Sequence, residues 1–212
     1  MSRTFDSLDD ALTTCIGRQP IFFVATAPND PDGHVNLSPK GAMGTFRILS
    51  PTRVAYLDLT GSGIETIAHL RENGRIVLMF CAFNGPPKVL RLHGKGCVIQ
   101  PGDPGFDDLV AAFTPSDDIL ALLRAVIVID ITRISDSCGF VVPRMELIEE
   151  RDQLFRHGEQ KALKQGPDWK QTYIQVNNHQ SIDGLSGIDL PDDAPELTAE
   201  EQKQFSSSGK AL

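Results

Sequence analysis

The chain has 212 residues, 41% of them hydrophobic and 23% charged, enough for one domain with a real core plus extensions. A formal charge of -8 excludes a general nucleic-acid binder, because phosphate backbones demand clustered Lys and Arg. It leaves room for a small anion held on a local basic spot. No segment reaches the ~20 apolar residues of a membrane helix, and "MSRTFDSLDD" has no leader pattern, so no membrane role is expected.

In chain order, "DSLDDALTTCIG" (6–17) predicts a short helix ending near Gly17. "IFFVATA" (21–27) predicts a strand, "PNDPDG" is dense turn chemistry, and "HVNLSPK" returns, giving a β-hairpin over 21–40. "TRVAYLDL" (52–59) alternates Val54, Tyr56 and Asp58 on one face with Ala55, Leu57 and Leu59 on the other. A helix follows over 60–74: Ser62 and Glu65 form an S-x-x-E capping box, Ile64, Ile67, Ala68 and Leu70 form the apolar stripe, and Gly74 is placed for a left-handed C-cap. "RIVLMFCAF" (75–83) is apolar throughout and predicts a strand buried on both faces.

"KVLRLHGKGCVIQ" (88–100) predicts a long strand whose glycines permit a bulge. Two short helices, "FDDLVAAF" and "SDDILALL", precede a sixth strand, "AVIVIDITRI" (125–134). A charged helix is expected over 145–166, then a more specific segment over 167–189, then a polar, loosely held tail over 190–212. Six strands joined as hairpins and meanders, with few helices, predict a mainly β fold: a six-stranded barrel with flanking helices over 1–166. The four cysteines (Cys15, Cys81, Cys97, Cys138) lack any CxxC spacing and read as reduced thiols of a cytoplasmic protein. Phe140 and Val141 beside Cys138 suggest that this thiol is buried, and no Cys/His pair has zinc-ligand spacing.

Chemistry concentrates in two places. In "GHVNLSPKG" (33–41), His34, Asn36, Ser38 and Lys40 share one face of a strand, with Val35, Leu37 and Pro39 on the other. The helix beginning near Ser62 follows Gly61 and Gly63, which allow a ligand close to free backbone N–H groups, as in a phosphate site. A solvated strand face and an ordinary capping box account for the same residues. The second place is 167–189, where Trp169 offers a ring for stacking and Asn178, Ser181 and Asp183 offer hydrogen bonds. His69, on a helix, and His93, on a strand beside Gly94, each read as a surface or packing histidine and not a ligand.

The polar strand, "RVAYLDLTGSGIETIAHLRENGRIVLMFCAF", "GPPKVLRLHGKG", "DSCGFVVP" and "NNHQSIDGLSG" together resemble the pyridoxamine 5′-phosphate oxidase-like family of FMN-binding split barrels, over about residues 20–187. That resemblance implies a split barrel that forms a homodimer, with FMN in a groove at the subunit interface and flavin-dependent oxidoreductase chemistry on a small-molecule substrate. It implies cofactor contacts from His34, Asn36, Ser38 and Lys40, from Tyr56 and Leu57, and from Thr60, Ser62, Gly63, Glu65 and Thr66 at the helix entry. Arg91 matches an arginine of the fifth strand, and the C-terminal segment with Trp169, Asn178, Ser181 and Asp183 would reach the flavin edge. Glu65 and Thr66 depart from an Arg-Lys pair of the vitamin B6 oxidase itself, and Val89 from a glutamine, which argues against the vitamin B6 reaction. Two other readings stay open: a non-catalytic flavin holder or sensor, and a split barrel using deazaflavin or haem, with His34, His93 or His179 on the iron.

Overall fold

A computed structural model describes residues 3–190, 194 and 196–207. Its centre is an antiparallel sheet of eight strands. These are β1 (Arg3–Phe5), β2 (Phe22–Thr26), β3 (Asn36–Lys40), β4 (Phe46–Ser50), β5 (Arg53–Leu59), β6 (Arg75–Cys81), β7 (Val89–Ile99) and β8 (Leu123–Ser137). The hydrogen-bonded order is β3-β2-β6-β7-β8-β5-β4, with β1 added on β8. β3 and β4 end the path and no ladder joins them among the described residues, so the barrel is split.

The six expected strands are present, and two more exist. β1 is only three residues, pairing Thr4 with Ser135. β4 is a short strand hairpinned to β5, with Phe46 opposite Tyr56. The β2–β3 hairpin has Phe22 opposite Lys40 and Thr26 opposite Asn36. Gly94 marks the expected bulge in β7: the register shifts between His93 and Gly94, and a Cβ there would collide with the Asp130 carbonyl. β6 alternates buried and half-buried residues instead of being buried on both faces, because only Ile76, Leu78 and Phe80 point into the barrel.

Alternation on the strands fills the interior. Val24, Val54, Tyr56, Leu78, Leu90, Leu92, Ile127 and Ile129 are all fully buried there. Phe22, Phe46, Tyr56 and Phe80 form an aromatic group with ring centroids 5.2 to 5.5 Å apart. Helix α1 (Asp10–Gly17) closes the core with Leu12 and Ile16, and its N-cap Asp9 accepts from the Leu12 N–H at 2.7 Å. Helix α2 (Glu65–Asn73) packs Ile67 and Leu70 inward and ends on Gly74, at φ 68°. The opposite sheet face, with Ala55, Leu57, Val126 and Val128, is covered by α3 (Phe106–Phe113) and α4 (Asp117–Leu122).

The C-terminal third departs most from expectation. The charged helix starts eight residues late, as α5 (Gln153–Gln165), and 145–152 is irregular. A further helix, α6 (Trp169–Asn177), buries Trp169 and Tyr173. Within the polar tail, α7 (Ala199–Ser207) places Phe205 against Leu122, Trp169 and Tyr173. Residues 191–193, 195 and 208–212 of that tail lie outside the described residues. The four cysteines are free, and Cys138 is exposed, as are Phe140 and Val141, so the expected burial of that thiol does not occur. Among the described residues no helix is long and apolar enough to cross a membrane.

Candidate functional site

β3 and the entry to α2 meet in a cleft of about 290 Å³ lined by Ser38, Pro39, Lys40, Leu59, Gly61, Ser62, Gly63, Glu65, Thr66 and Arg124. Its floor is an ion triad. Asp58, 1% exposed at its side chain, receives Lys40 Nζ on Oδ1 at 3.0 Å and the Arg124 Nη2 on Oδ2 at 2.6 Å. Burial alone would raise the Asp58 carboxyl. The Arg124 and Lys40 charges and their hydrogen bonds outweigh it and hold the pKa below the usual value.

Arg124 also fixes the loop leading into α2. Its Nη1 donates to the Gly61 carbonyl at 3.2 Å and its Nη2 to the Gly63 carbonyl at 2.9 Å. Asn178 Nδ2 donates to the same Gly61 carbonyl at 2.9 Å from the C-terminal segment. Arg124 and Asn178 thus occupy the Gly61 and Gly63 carbonyls and fix the loop. The helix begins at N-cap Ile64 with no side-chain cap on it. The expected capping box is therefore absent: Ser62 lies before the helix, and Glu65 bends back so that its Oε2 accepts from the Ile64 N–H at 3.0 Å.

The polar row of the second hairpin strand joins this cleft through hydrogen bonds. Ser38 Oγ donates to Asn36 Oδ1 at 2.7 Å, and Asn36 Nδ2 donates to Thr66 Oγ1 at 2.9 Å and to Thr26 Oγ1 at 3.1 Å. Thr26 Oγ1 in turn lies 3.0 Å from Nδ1 of the fully buried His69, whose ring burial disfavours the protonated form. His34 stands apart from the row, 71% exposed at its side chain, with its N–H and Nδ1 on Asp183 at 2.8 and 2.6 Å. Hydrogen bonds from His34 hold the Asp183 carboxyl below its ordinary pKa.

Of the sequence-predicted residues, the cleft gathers Ser38, Lys40, Ser62, Gly63, Glu65 and Thr66, with Asn36 behind them and Asn178 bracing the loop. Tyr56 is buried in the barrel core, where burial raises the phenol well above its ordinary pKa and keeps it protonated. Leu57 points into the opposite layer. Thr60 spends both its N–H and its hydroxyl on the Leu122 carbonyl. Arg91 donates to Ser137 Oγ at 3.1 Å, and Trp169 is buried among helices; neither lines the cleft. Ser181 is internal to a turn, its Oγ accepting from the Leu185 N–H at 3.1 Å. Arg124 completes the cleft lining and the buried Asp58 anchors it and Lys40; neither was expected there. The only sequence signal was an aspartate on the inward face of an apolar strand, which requires a buried cation.

A model of the pyridoxamine 5′-phosphate oxidase family matches residues 8–138. A relative from Aspergillus flavus, the pyridoxamine 5′-phosphate oxidase family protein ustO, is 39% identical over 199 residues, covering 87% of this chain and 77% of the relative. The chain belongs to the pyridoxamine 5′-phosphate oxidase family. Among solved structures, HupZ of Group A Streptococcus is similar at a TM-score of 0.46, with 21% identity over 60% of this chain and 91% of that one. A pyridoxamine 5′-phosphate oxidase-related, FMN-binding protein of Nostoc punctiforme is similar at a TM-score of 0.44, with 15% identity over 61% of this chain and 85% of that one. The family match ends at residue 138, so α5, α6 and the segment carrying Asn178 and Asp183 lie beyond it.

The donor set of the cleft can be tested against a flavin phosphate. Lys40 spends one of its three ammonium protons on Asp58, which leaves two. Arg124 spends four of its five N–H groups on Asp58, Gly61 and Gly63, so its part is to hold the loop. Ser62 is exposed at the rim, and the first N–H groups of α2 have no partner within the helix. One available ammonium, hydroxyls and a helix N-terminus fit a phosphate, with less positive charge than an Arg-Lys pair would supply.

Proposed function

We propose that this protein binds FMN and acts as a flavin-dependent oxidoreductase on a small molecule. The observation that carries the reading is the cleft itself: Lys40 and the Ser38, Ser62 and Thr66 side chains line it beside an α2 entry whose Gly61 and Gly63 carbonyls are bonded by Arg124 and Asn178. In this reading Lys40 and Ser62 bind the phosphate, and the first N–H groups of α2 supply the remaining contacts. Ser38, oriented by Asn36 behind it, would hold the polar chain that joins the phosphate to the flavin ring. When bound, the isoalloxazine supplies two-electron redox chemistry, while the protein supplies binding and orientation.

The same reading includes a homodimer. β3 is an edge strand; Leu37 on it is 64% exposed, Val35 just before it 73%, and Met43 after it 55%. Such a face is suited to a second copy.

The test is an absorption spectrum of the purified protein, before and after adding FMN and passing it through gel filtration. A flavin spectrum that stays with the protein supports the reading. A Soret band assigns haem instead, and no chromophore with no uptake refutes flavin binding. Flavin that stays bound yet is reduced by neither NADH nor NADPH would favour a carrier or sensor over an oxidoreductase using those donors.

A further inference from the structure

Lys40 from β3, Arg124 from β8 and Glu65 from α2 line the cleft, and Asp58 from β5 lies buried against the two cations. Asp58 is committed on both oxygens to the two cations. Glu65 has no ion-pair partner among the described residues; its Oε2 caps the Ile64 N–H at 3.0 Å and lies 3.5 Å from where a Cβ on Gly63 would stand. Its negative charge thus rests at the α2 N-terminus, between Gly63 and Thr66, where an incoming anion would also seek N–H groups.

We propose that Glu65 is a specificity-determining residue, setting how strongly the cleft favours a phosphorylated flavin over the same flavin without its phosphate. The proposal rests on the cleft being the phosphate subsite. A phosphomonoester brought there gains Lys40, an ammonium with one of its three protons already on Asp58, and meets the Glu65 carboxylate at close range. Attraction and repulsion nearly offset, and the discrimination in favour of the phosphate is small. The isoalloxazine and ribityl parts are shared by FMN and riboflavin, so Glu65 acts on the difference between the two and leaves what they have in common.

The experiment is a fluorescence titration of the full chain with FMN and, separately, riboflavin, for the unaltered protein, Glu65→Gln and Glu65→Lys. Gln keeps the size and an acceptor oxygen for the Ile64 N–H while removing the charge. The expected result is an FMN affinity that rises on the order of tenfold relative to riboflavin in Glu65→Gln, and further in Glu65→Lys. Riboflavin affinity stays within about twofold throughout. If both flavins bind and the FMN-to-riboflavin ratio does not move, the role of Glu65 is refuted and the cleft reading stands. If none of the three proteins binds either flavin, the cleft reading fails and the role of Glu65 with it.

Discussion

Arg124 gives Asp58 two N–H groups and directs both to one oxygen, with Nε at 2.8 Å and Nη2 at 2.6 Å from Oδ2. The other oxygen is thereby left for Lys40 at 3.0 Å. One carboxylate thus anchors a cation that faces the cleft and another that holds the loop beside it.

Asp58→Asn removes the charge both cations share. Arg124, 2% exposed at its side chain, is then a buried charge with a neutral amide for a partner. The loss expected is about 3–5 kcal/mol in urea unfolding. The native carboxyl titrates below its unfolded value, so its stabilisation is present above about pH 4 and fades as pH falls through the lower native value. The variant should lack this acid-limb dependence.

Lys40→Ala should weaken FMN binding about tenfold or more, because it removes the ammonium whose two protons not spent on Asp58 would bond the phosphate. Ser62→Ala removes one neutral donor at the rim and should cost about two- to fivefold. Fluorescence titration of the two variants checks the order; equal, unchanged affinities would remove the phosphate from this cleft.

His69 predicts a second pH dependence. It is fully buried, bonded through Nδ1 to Thr26, and its Nε2 has no hydrogen-bond partner among the described residues. Burial lowers its pKa, against the opposing pull of Asp183, Glu65 and Glu72. The unfolded chain takes up a proton below about pH 6.5 that the native ring resists, so stability falls as pH drops through that value. Urea midpoints at pH 7.5 and 5.5 should differ less in His69→Gln than in the unaltered protein. His93, also lowered by burial, leaves a residual slope.

Gly187→Ala tests the docking of the C-terminal segment. A Cβ there would run into the Asn178 carbonyl and stand 2.6 Å from Ile64 Cγ1. The segment should detach from α2 while the barrel stays folded. Hydrogen exchange at Ile188, whose N–H bonds the Asn178 carbonyl at 2.8 Å, should accelerate, and flavin affinity should fall with the loss of the Asn178–Gly61 bond.

The strongly patterned parts of this fold were legible. The hairpin of β2 and β3, the Gly74 cap and the bulge at Gly94 each follow from a local rule that the tertiary structure had no reason to override. β4 was missed because "FRILS" is too short to announce itself and gains its place from Tyr56 across the ladder. α6 carries a packing signal, Trp169, Tyr173 and Val176 at helical spacing, which the polar residues between them and the stacking chemistry open to a lone tryptophan obscure. For the site, Ser38, Lys40 and Thr66 were visible as a polar face and a helix entry. Arg124 was not, because it stands 66 residues from Asp58 and no local pattern links a lone arginine to a distant carboxylate. Ser62 and Glu65 fit a capping box by spacing, yet the helix starts three residues beyond Ser62, at Glu65.

The bond from Asn178 to the Gly61 carbonyl gives the molecule an order of assembly. Every strand of the barrel has been synthesised once Ser137 emerges, yet the loop at the cleft gains its second brace only from a residue far downstream. A nascent chain can close its core, with N-terminal parts folding first, and still present an unfinished cleft. The second brace on that loop is therefore acquired late, when the segment around Asn178 and Gly187 docks beside the entry to α2.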